Sequence, residues 1–104
     1  MFDDFREVVT MDFEYHHGGG GVGDDGNRPI SVCYVAHELR GGRKHRVWQD
    51  QFGPAPPHPV DDDVLVVAYT ASAGINCYRV LGWPIPANVL DPYVEFRLRP
   101  SAAG

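Results

Sequence analysis

Apolar and polar side chains alternate over residues 8–15 (VVTMDFEY), the first element that the sequence predicts. β-branched and aromatic residues dominate this stretch and a glycine cluster follows it, which is typical of a strand that ends in a loop. Because successive side chains of a strand point to opposite faces, Met11 and Phe13 share one face while Asp12 and Glu14 share the other. The pattern predicts a strand with one apolar face and one face that carries two neighbouring carboxylates.

Two further strands are predicted in the first half of the chain. Residues 16–28 contain six of the twelve glycines and form a predicted loop. Pro29 opens a second β-type run at residues 30–39, and a turn at residues 40–43 (RGGR) leads into a third at residues 44–50 (KHRVWQD). Because a short turn between two such runs favours antiparallel pairing, these strands are predicted to form an antiparallel β-meander.

A proline-rich connector separates this meander from a buried strand. Residues 52–63 hold four prolines and three successive aspartates, and neither a helix nor a central strand tolerates that density of prolines. Residues 64–69 (VLVVAY) are then continuously apolar, which is typical of a strand covered on both faces, as in a parallel sheet. We expect this strand to be central.

A helix and a short strand are predicted next. Apolar residues recur at helical spacing over residues 70–83, with Thr70 as the N-cap and Gly82 as the terminating glycine. Residues 88–91 predict a last short strand, and Pro92 opens a brief helical stretch. This βαβ unit is expected to place a parallel strand beside the first strand of the chain, so the predicted fold class is α/β.

Composition sets the size and the environment of this fold. A chain of 104 residues corresponds to one domain, since domains most often contain ~100–150 residues. With 43% apolar and 22% charged residues, the chain is expected to form a packed core. Two cysteines without CxxC spacing favour a reducing cytoplasm. No apolar run approaches the ~18 residues of a membrane span, so no membrane partner is expected.

The charge balance restricts the partners of the chain. Nine basic and fourteen acidic residues give a net charge of −5, so no overall positive field attracts a polyanion, and any nucleic-acid contact is expected to be local or metal-mediated. One basic patch stands out, and it is either a solubilising hairpin tip or a surface that contacts a phosphate backbone and stacks a base. It comprises Arg40, Arg43, Lys44, His45, Arg46 and Trp48.

Asp12 and Glu14 are the sharpest chemical feature of the sequence. Their Cβ atoms are expected roughly 7 Å apart, from a rise of ~3.3 Å per residue, so both side chains can converge on one divalent ion. Ligation by oxygen alone suits Mg²⁺ or Mn²⁺. On the residues alone, a metal site and a solvated strand face both remain open.

Three stretches carry a resemblance to a known family: residues 9–14 (VTMDFE), 67–82 (VAYTASAGINCYRVLG) and 88–95 (NVLDPYVE). In this order they resemble the first motif, the second motif and the following strand of the 3′–5′ exonuclease domain of bacterial family A DNA polymerases. That domain belongs to the DEDD superfamily and has a ribonuclease H-like fold. The resemblance implies a partial fold of that type, Mg²⁺ or Mn²⁺ as cofactor, and the 3′ end of single-stranded DNA as partner and substrate.

Carried over residue by residue, the resemblance makes Asp12 and Glu14 the catalytic and metal-binding carboxylates of the first motif. Thr70 stands where the second motif has asparagine, and Gly74 stands where it has an acid. The third motif is expected beyond the last residue, so residues 1–104 would form a single truncated exonuclease-like domain. Because the family holds two metal ions with four carboxylates, we expect weak or no nuclease activity.

Two questions remain open on the sequence. Asp91 either substitutes for the lost acid or caps the helix that Pro92 opens. The chain is either an impaired exonuclease or a noncatalytic remnant that binds nucleic acid or protein, or a fragment of a larger polymerase-like protein. A formal GxGxxG match at residues 21–26 is followed by a strand and not by a helix, so no dinucleotide cofactor is predicted.

Overall fold

The computed structural model describes residues 2–17 and 29–98. In this part of the chain, a five-stranded mixed sheet is accompanied by two α-helices, which confirms the α/β class. The strands are β1 (Glu7–His17), β2 (Pro29–Glu38), β3 (Lys44–Trp48), β4 (Val64–Val67) and β5 (Val89–Leu90), and the helices are α1 (Ala71–Leu81) and α2 (Pro92–Leu98). Two short 3₁₀ turns lie at Phe2–Asp4 and Gln49–Gln51.

The strands lie in the order β3-β2-β1-β4-β5. β1 pairs antiparallel with β2, and β2 pairs antiparallel with β3, which confirms the predicted meander. β4 lies parallel to β1 on its other side, and β5 is parallel to β4. The βαβ unit therefore places its first strand beside β1, as expected, and β4 is an interior strand.

Some predicted boundaries are wrong. β1 continues through His16 and His17, which were expected in the loop, because these residues pair with Ile30 and Pro29 at the start of β2. Residues 18–28 of that predicted loop, including the GxGxxG-like run, lie outside the described residues. The third strand ends at Trp48, where the chain enters a 3₁₀ turn.

The main buried cluster lies on one face of the sheet. Met11 and Phe13 are buried there, so the predicted apolar face of β1 is confirmed. Tyr34 of β2 and Tyr78 of α1 are fully buried against this face. Full burial of one large apolar side chain contributes about 1.5–3 kcal/mol. The buried cluster comprises Val9, Met11, Phe13, Tyr34, Ala36, Val64, Val66, Ala68, Ala71, Cys77, Tyr78 and Trp83.

Trp83 joins the end of α1 to the proline-rich connector. Gly82, at φ 74°, ends the helix in the left-handed conformation that glycine adopts without strain, as predicted. The next residue, Trp83, is 3% exposed, and its indole Nε1 donates a hydrogen bond of 2.8 Å to the carbonyl oxygen of Gly53. Between residues 52 and 63 the chain forms neither helix nor strand, which confirms the connector.

Among the described residues, no helix combines the length and the apolar character that crossing a membrane requires. Cys33 and Cys77 are both buried and free.

Candidate functional site

Asp12 and Glu14 lie on β1 on the face opposite to Met11 and Phe13, and both side chains are exposed. β1 is the middle strand of the sheet, so this carboxylate pair stands at the centre of the second sheet face. Within residues 2–17 and 29–98, neither carboxylate has a hydrogen-bond or ion-pair partner. Because no group in the described part of the chain neutralises these two carboxylates, they are available to bind a cation.

A cleft of about 300 Å³ opens beside Asp12. Pairing between β1 and β4 ends at Thr10 and Val67, so β1 extends beyond its parallel neighbour. The cleft lies at this step, where the chain leaves β4 and enters α1. Its lining includes Asp12, Met11, Tyr69, Thr70 and Gly74. The first predicted motif and the start of the second thus both line this cleft. Gly74, however, contacts Met11 on the α1 side of the sheet, whereas the Asp12 and Glu14 side chains lie on the opposite face.

Gly74 faces this cleft without a side chain, and Met11 takes the space. A Cβ built on Gly74 would lie 2.8 Å from the Cε and 3.4 Å from the Sδ of Met11. Carbon atoms in contact normally lie ~3.5–4.0 Å apart, so any larger residue at position 74 must displace the Met11 methyl group. The position that the resemblance assigns to an acid is filled by a thioether from β1.

Asp91 caps both helices. One carboxylate oxygen, Oδ2, accepts a hydrogen bond of 2.7 Å from the backbone N–H of Ala71. The other, Oδ1, accepts 2.9 Å bonds from the N–H groups of Thr70 and Tyr93 and a 3.4 Å bond from Val94. Burial acts to raise the pKa of Asp91, but these four donors outweigh it and hold that pKa below its ordinary value. Of the two interpretations of Asp91, the structure shows the cap.

Thr70 occupies the N-cap position of α1, but its side chain makes no capping hydrogen bond. Its backbone is left-handed, with φ 56° and ψ 58°, an uncommon conformation for a β-branched residue. The Asp91 carboxylate, reaching across from the end of β5, supplies the cap instead. The predicted N-cap position of Thr70 is therefore confirmed, but the capping hydrogen bonds come from Asp91 and not from the Thr70 side chain.

Three successive aspartates of the connector, Asp61–Asp63, bring carboxylate oxygens within 4.8 Å of one another. Arg6 neutralises much of this charge: its Nε lies 2.7 Å from Asp63 Oδ2, and its guanidinium lies 3.5 Å from Asp61 Oδ1. The pair fixes the connector to the residue before β1. This acidic run acts as a charged connector, which agrees with its sequence interpretation.

One residue of the basic patch, Arg43, pairs with acidic side chains. The Arg43 guanidinium contacts the buried carboxylate of Glu7 and lies 3.8 Å from buried Glu38. Glu38 also accepts hydrogen bonds from the backbone N–H groups of Val8 and Arg40. Arg43 is therefore a structural residue of the β2–β3 turn and not a free surface charge.

A buried polar network that the sequence did not indicate lies under β2. The hydroxyl of Tyr34 is 2.5 Å from His58 Nε2 and 2.8 Å from the hydroxyl of Tyr78. His58 Nδ1 is 2.9 Å from the carbonyl oxygen of Pro59, and since a carbonyl only accepts, Nδ1 carries the proton. Nε2 then accepts from Tyr34, and Tyr34 accepts from Tyr78. Burial lowers the pKa of His58 and raises the pKa of Tyr78 to about 12.

Comparison of the chain with protein-family models, with curated proteins and with solved structures finds no match. Any function assigned to the chain therefore rests on its motifs and on the site geometry above.

Proposed function

We propose that the chain is a 3′–5′ exonuclease-like module of ribonuclease H-like fold that keeps the first metal-binding pair, Asp12 and Glu14, and has lost the acid of the second motif. The strand order supports this proposal. β1 pairs antiparallel with β2 of the meander on one side and parallel with β4 on the other, and the chain passes from β4 into α1. This is the arrangement that the resemblance implies.

One observation carries the proposal: two exposed carboxylates, which have no partner among residues 2–17 and 29–98, lie on one face of the central strand, and Asp12 lines the cleft at the N-terminus of α1. Some other carboxylates among the described residues have a structural role. Asp63 binds Arg6 and Asp91 caps helices. Asp12 and Glu14 have no such role among the described residues, and their place side by side on the central strand, next to the cleft, favours a ligand-binding use.

The donor set fits one hard cation. Asp12 and Glu14 supply only oxygen ligands, which suit Mg²⁺ or Mn²⁺, with water in the remaining positions. When bound, such an ion supplies Lewis-acid stabilisation of charge on a phosphoryl oxygen and lowers the pKa of a bound water. In this chain, the carboxylates of Asp12 and Glu14 would orient the ion, and Gly74 contributes no ligand. We therefore expect weak ion binding and slow or no phosphodiester hydrolysis.

A noncatalytic nucleic-acid-binding remnant is the second candidate. The Met11–Gly74 contact favours it, because the space of the second-motif acid is filled by an apolar side chain. Both candidates would bind single-stranded DNA with a 3′ end. They differ in whether the chain hydrolyses the phosphodiester bonds of the bound DNA.

Titration with Mn²⁺, followed by the electron paramagnetic resonance signal of the free ion, tests the site. We expect one ion per chain with Kd of the order of 0.1–1 mM, the weak end of the range for oxygen-ligand sites. Asp12→Asn and Glu14→Gln should each abolish this binding, whereas Asp62→Asn, which removes an exposed carboxylate of the acidic run, should leave it unchanged. Equal binding by wild type and Asp12→Asn would overturn the proposal.

Incubation with a 5′-labelled single-stranded oligonucleotide and Mn²⁺ separates the two candidates. Slow shortening from the 3′ end that Asp12→Asn abolishes supports the impaired exonuclease. Intact oligonucleotide with retained Mn²⁺ binding supports the noncatalytic remnant. Cleavage that proceeds equally in Asp12→Asn contradicts both, because it would require a different catalytic centre.

A further inference from the structure

Three side chains of β3 stand on the same open sheet face as the carboxylate pair. His45 and Val47 turn toward the core, where Val47 packs against the buried cluster. Lys44, Arg46 and Trp48 alternate with them and are exposed. Because alternate residues of a strand share a face, these three lie on the side of the sheet away from α1.

Strand register aligns these β3 residues with the candidate site. Arg46 is paired with Val35 of β2, and Val35 is paired with Asp12 of β1. In the neighbouring row, Trp48 is paired with Cys33, and Cys33 with Glu14. Neighbouring strands are ~4.8 Å apart, so the β3 backbone runs about 10 Å from the carboxylate-bearing strand.

The positive charges of this face belong to Lys44 and Arg46. Arg6 and Arg43 bind carboxylates, but in the described part of the chain Lys44 and Arg46 make no ion pair. A groove of about 360 Å³ between β2 and β3 runs past both side chains. Two unpaired cations beside an open groove create a local positive surface on a chain whose net charge is −5.

An exposed aromatic ring completes this surface. Trp48 is 50% exposed, and Val35, which separates Arg46 from Asp12 in the register, is 39% exposed. Large apolar side chains at such exposure mark a contact surface when they cluster with unpaired charge. Alternation of an aromatic ring with cations matches a single-stranded nucleic acid, whose bases stack on aromatic rings while its phosphates contact Lys and Arg.

We propose that Lys44, Arg46 and Trp48 bind a single-stranded nucleic acid across the open face of the sheet, with Trp48 stacking a base and the two cations contacting phosphates. Only the direction of the bound nucleic acid, across β2 toward Asp12 and Glu14, rests on the proposed function. The binding surface itself needs no metal ion. Without an ion, the two carboxylates repel the approaching phosphates, so the surface and the metal site are separable in experiment.

Fluorescence anisotropy of a 5′-labelled oligothymidylate tests this surface, measured in EDTA so that neither metal binding nor cleavage contributes. A length of roughly twelve nucleotides lies within the site sizes of single-strand-binding surfaces. Trp48→Ala should weaken binding at least about fivefold, the lower limit for loss of one base–aromatic stack, and Trp48→Phe should restore most of it. Binding should also quench the fluorescence of Trp48, while buried Trp83 provides a constant background.

Salt dependence tests the cations. Arg46→Ala should reduce the slope of log K against log salt by about 0.7, the value for one phosphate contact of a single strand. Arg79→Ala is the matched control, since Arg79 is an exposed arginine of α1 and its loss changes the net charge equally. Asp12→Asn combined with Glu14→Gln should strengthen binding in EDTA, because the repulsion is removed.

The outcomes distinguish this proposal from the proposed function. Oligonucleotide binding that depends on Trp48 and Arg46 but not on Arg79 supports the surface even if no Mn²⁺ binds. No measurable oligonucleotide binding, or equal losses for Arg46→Ala and Arg79→Ala, overturns it even if Mn²⁺ binds to Asp12 and Glu14. A dimer in sedimentation equilibrium that Trp48→Ala dissociates also overturns it, because the face would then be an interface between two copies of the chain.

Discussion

The terminal methyl of Met11 lies 2.8 Å from the point where a Cβ on residue 74 would be. The two residues, one on β1 and one on α1, therefore compete for the same space in the cleft beside Asp12. Met11 Cε is the end of a flexible side chain, so it can move if residue 74 gains a side chain. The absence of an acid at position 74 and the position of the Met11 side chain therefore depend on each other.

Restoring an acid at position 74 should restore metal affinity. Gly74→Glu adds a third carboxylate to the cleft that Asp12 lines, and we expect Mn²⁺ binding to tighten at least about tenfold, or about 1.4 kcal/mol. Replacing glycine inside α1 gains about 1 kcal/mol of helix propensity. This gain offsets the cost of displacing Met11, so the protein should stay folded. Calorimetric titration measures the affinity, and circular dichroism measures the unfolding midpoint.

Gly74→Gln provides the matched control for this prediction, since it has the same shape and no charge. It should leave Mn²⁺ affinity at the wild-type value. If Gly74→Glu tightens binding equally in an Asp12→Asn background, the new carboxylate is not acting with Asp12, and the cleft is not a shared site.

The sequence predicts the two faces of β1 because the strand period is fixed: Phe13 must be opposite to Asp12 once the strand exists. The same reasoning assigns the meander and the parallel partner of β1. It does not find the network of Tyr34, His58 and Tyr78, because this joins a strand, a connector and a helix. The connector that carries His58 has no regular period, so no pattern indicates which of its residues returns to the core.

The role of Asp91 also depends on contacts between distant segments, which sequence patterns do not predict. Its place before Pro92 predicts a cap on α2, since that contact is local. Its bonds to Thr70 and Ala71 connect residues about twenty positions apart and depend on β5 lying beside β4. Sequence patterns predict that Thr70 caps α1. In the fold, the capping hydrogen bonds go to the Asp91 carboxylate, which is charged and therefore a stronger acceptor than a hydroxyl.

Asp91→Ala should lower the thermal unfolding midpoint more than loss of Asp62, an exposed carboxylate of the connector. The substitution leaves the first N–H groups of both α1 and α2 without their acceptor. Asp62→Ala is the control, as its side chain is exposed and outside both helix ends. Because the pKa of Asp91 is lowered in the folded state, its stabilisation is present above the ordinary aspartate pKa and is lost as pH falls below it. Equal midpoints for the two variants would contradict the capping role.

Tyr34→Phe should destabilise the fold by about 1–3 kcal/mol, the cost of leaving buried polar groups unpaired. Removal of this hydroxyl deprives His58 Nε2 of its donor and the Tyr78 hydroxyl of its acceptor. Tyr78→Phe should cost less, about 0.5–1.5 kcal/mol, because the bond from Tyr34 to His58 survives. Urea denaturation at neutral pH measures both values, and a larger loss for Tyr78→Phe would reverse the hydrogen-bond direction assigned here.

His58 should make stability depend on pH. Burial lowers the pKa of the folded-state imidazole, with His45 adding repulsion, while the hydrogen bond to Pro59 and the charge of Glu7 act to raise it. Below the ordinary histidine pKa of about 6.5, the unfolded chain takes up a proton that folded His58 does not. The free energy of unfolding should therefore fall with decreasing pH, by up to about 1.4 kcal/mol per pH unit from this residue.

Urea unfolding between pH 7 and pH 5 isolates this contribution when wild type is compared with His58→Gln. Glutamine does not titrate in this range, so the variant should start less stable at pH 7 and lose less stability on acidification. His37→Gln removes a histidine from the open sheet face, away from the buried network, and should keep the wild-type slope. Parallel curves for wild type and His58→Gln would mean that the folded protein takes up this proton as readily as the unfolded chain. The lowered pKa of His58 would then be contradicted, and with it the cost of protonating an Nε2 that accepts from the Tyr34 hydroxyl.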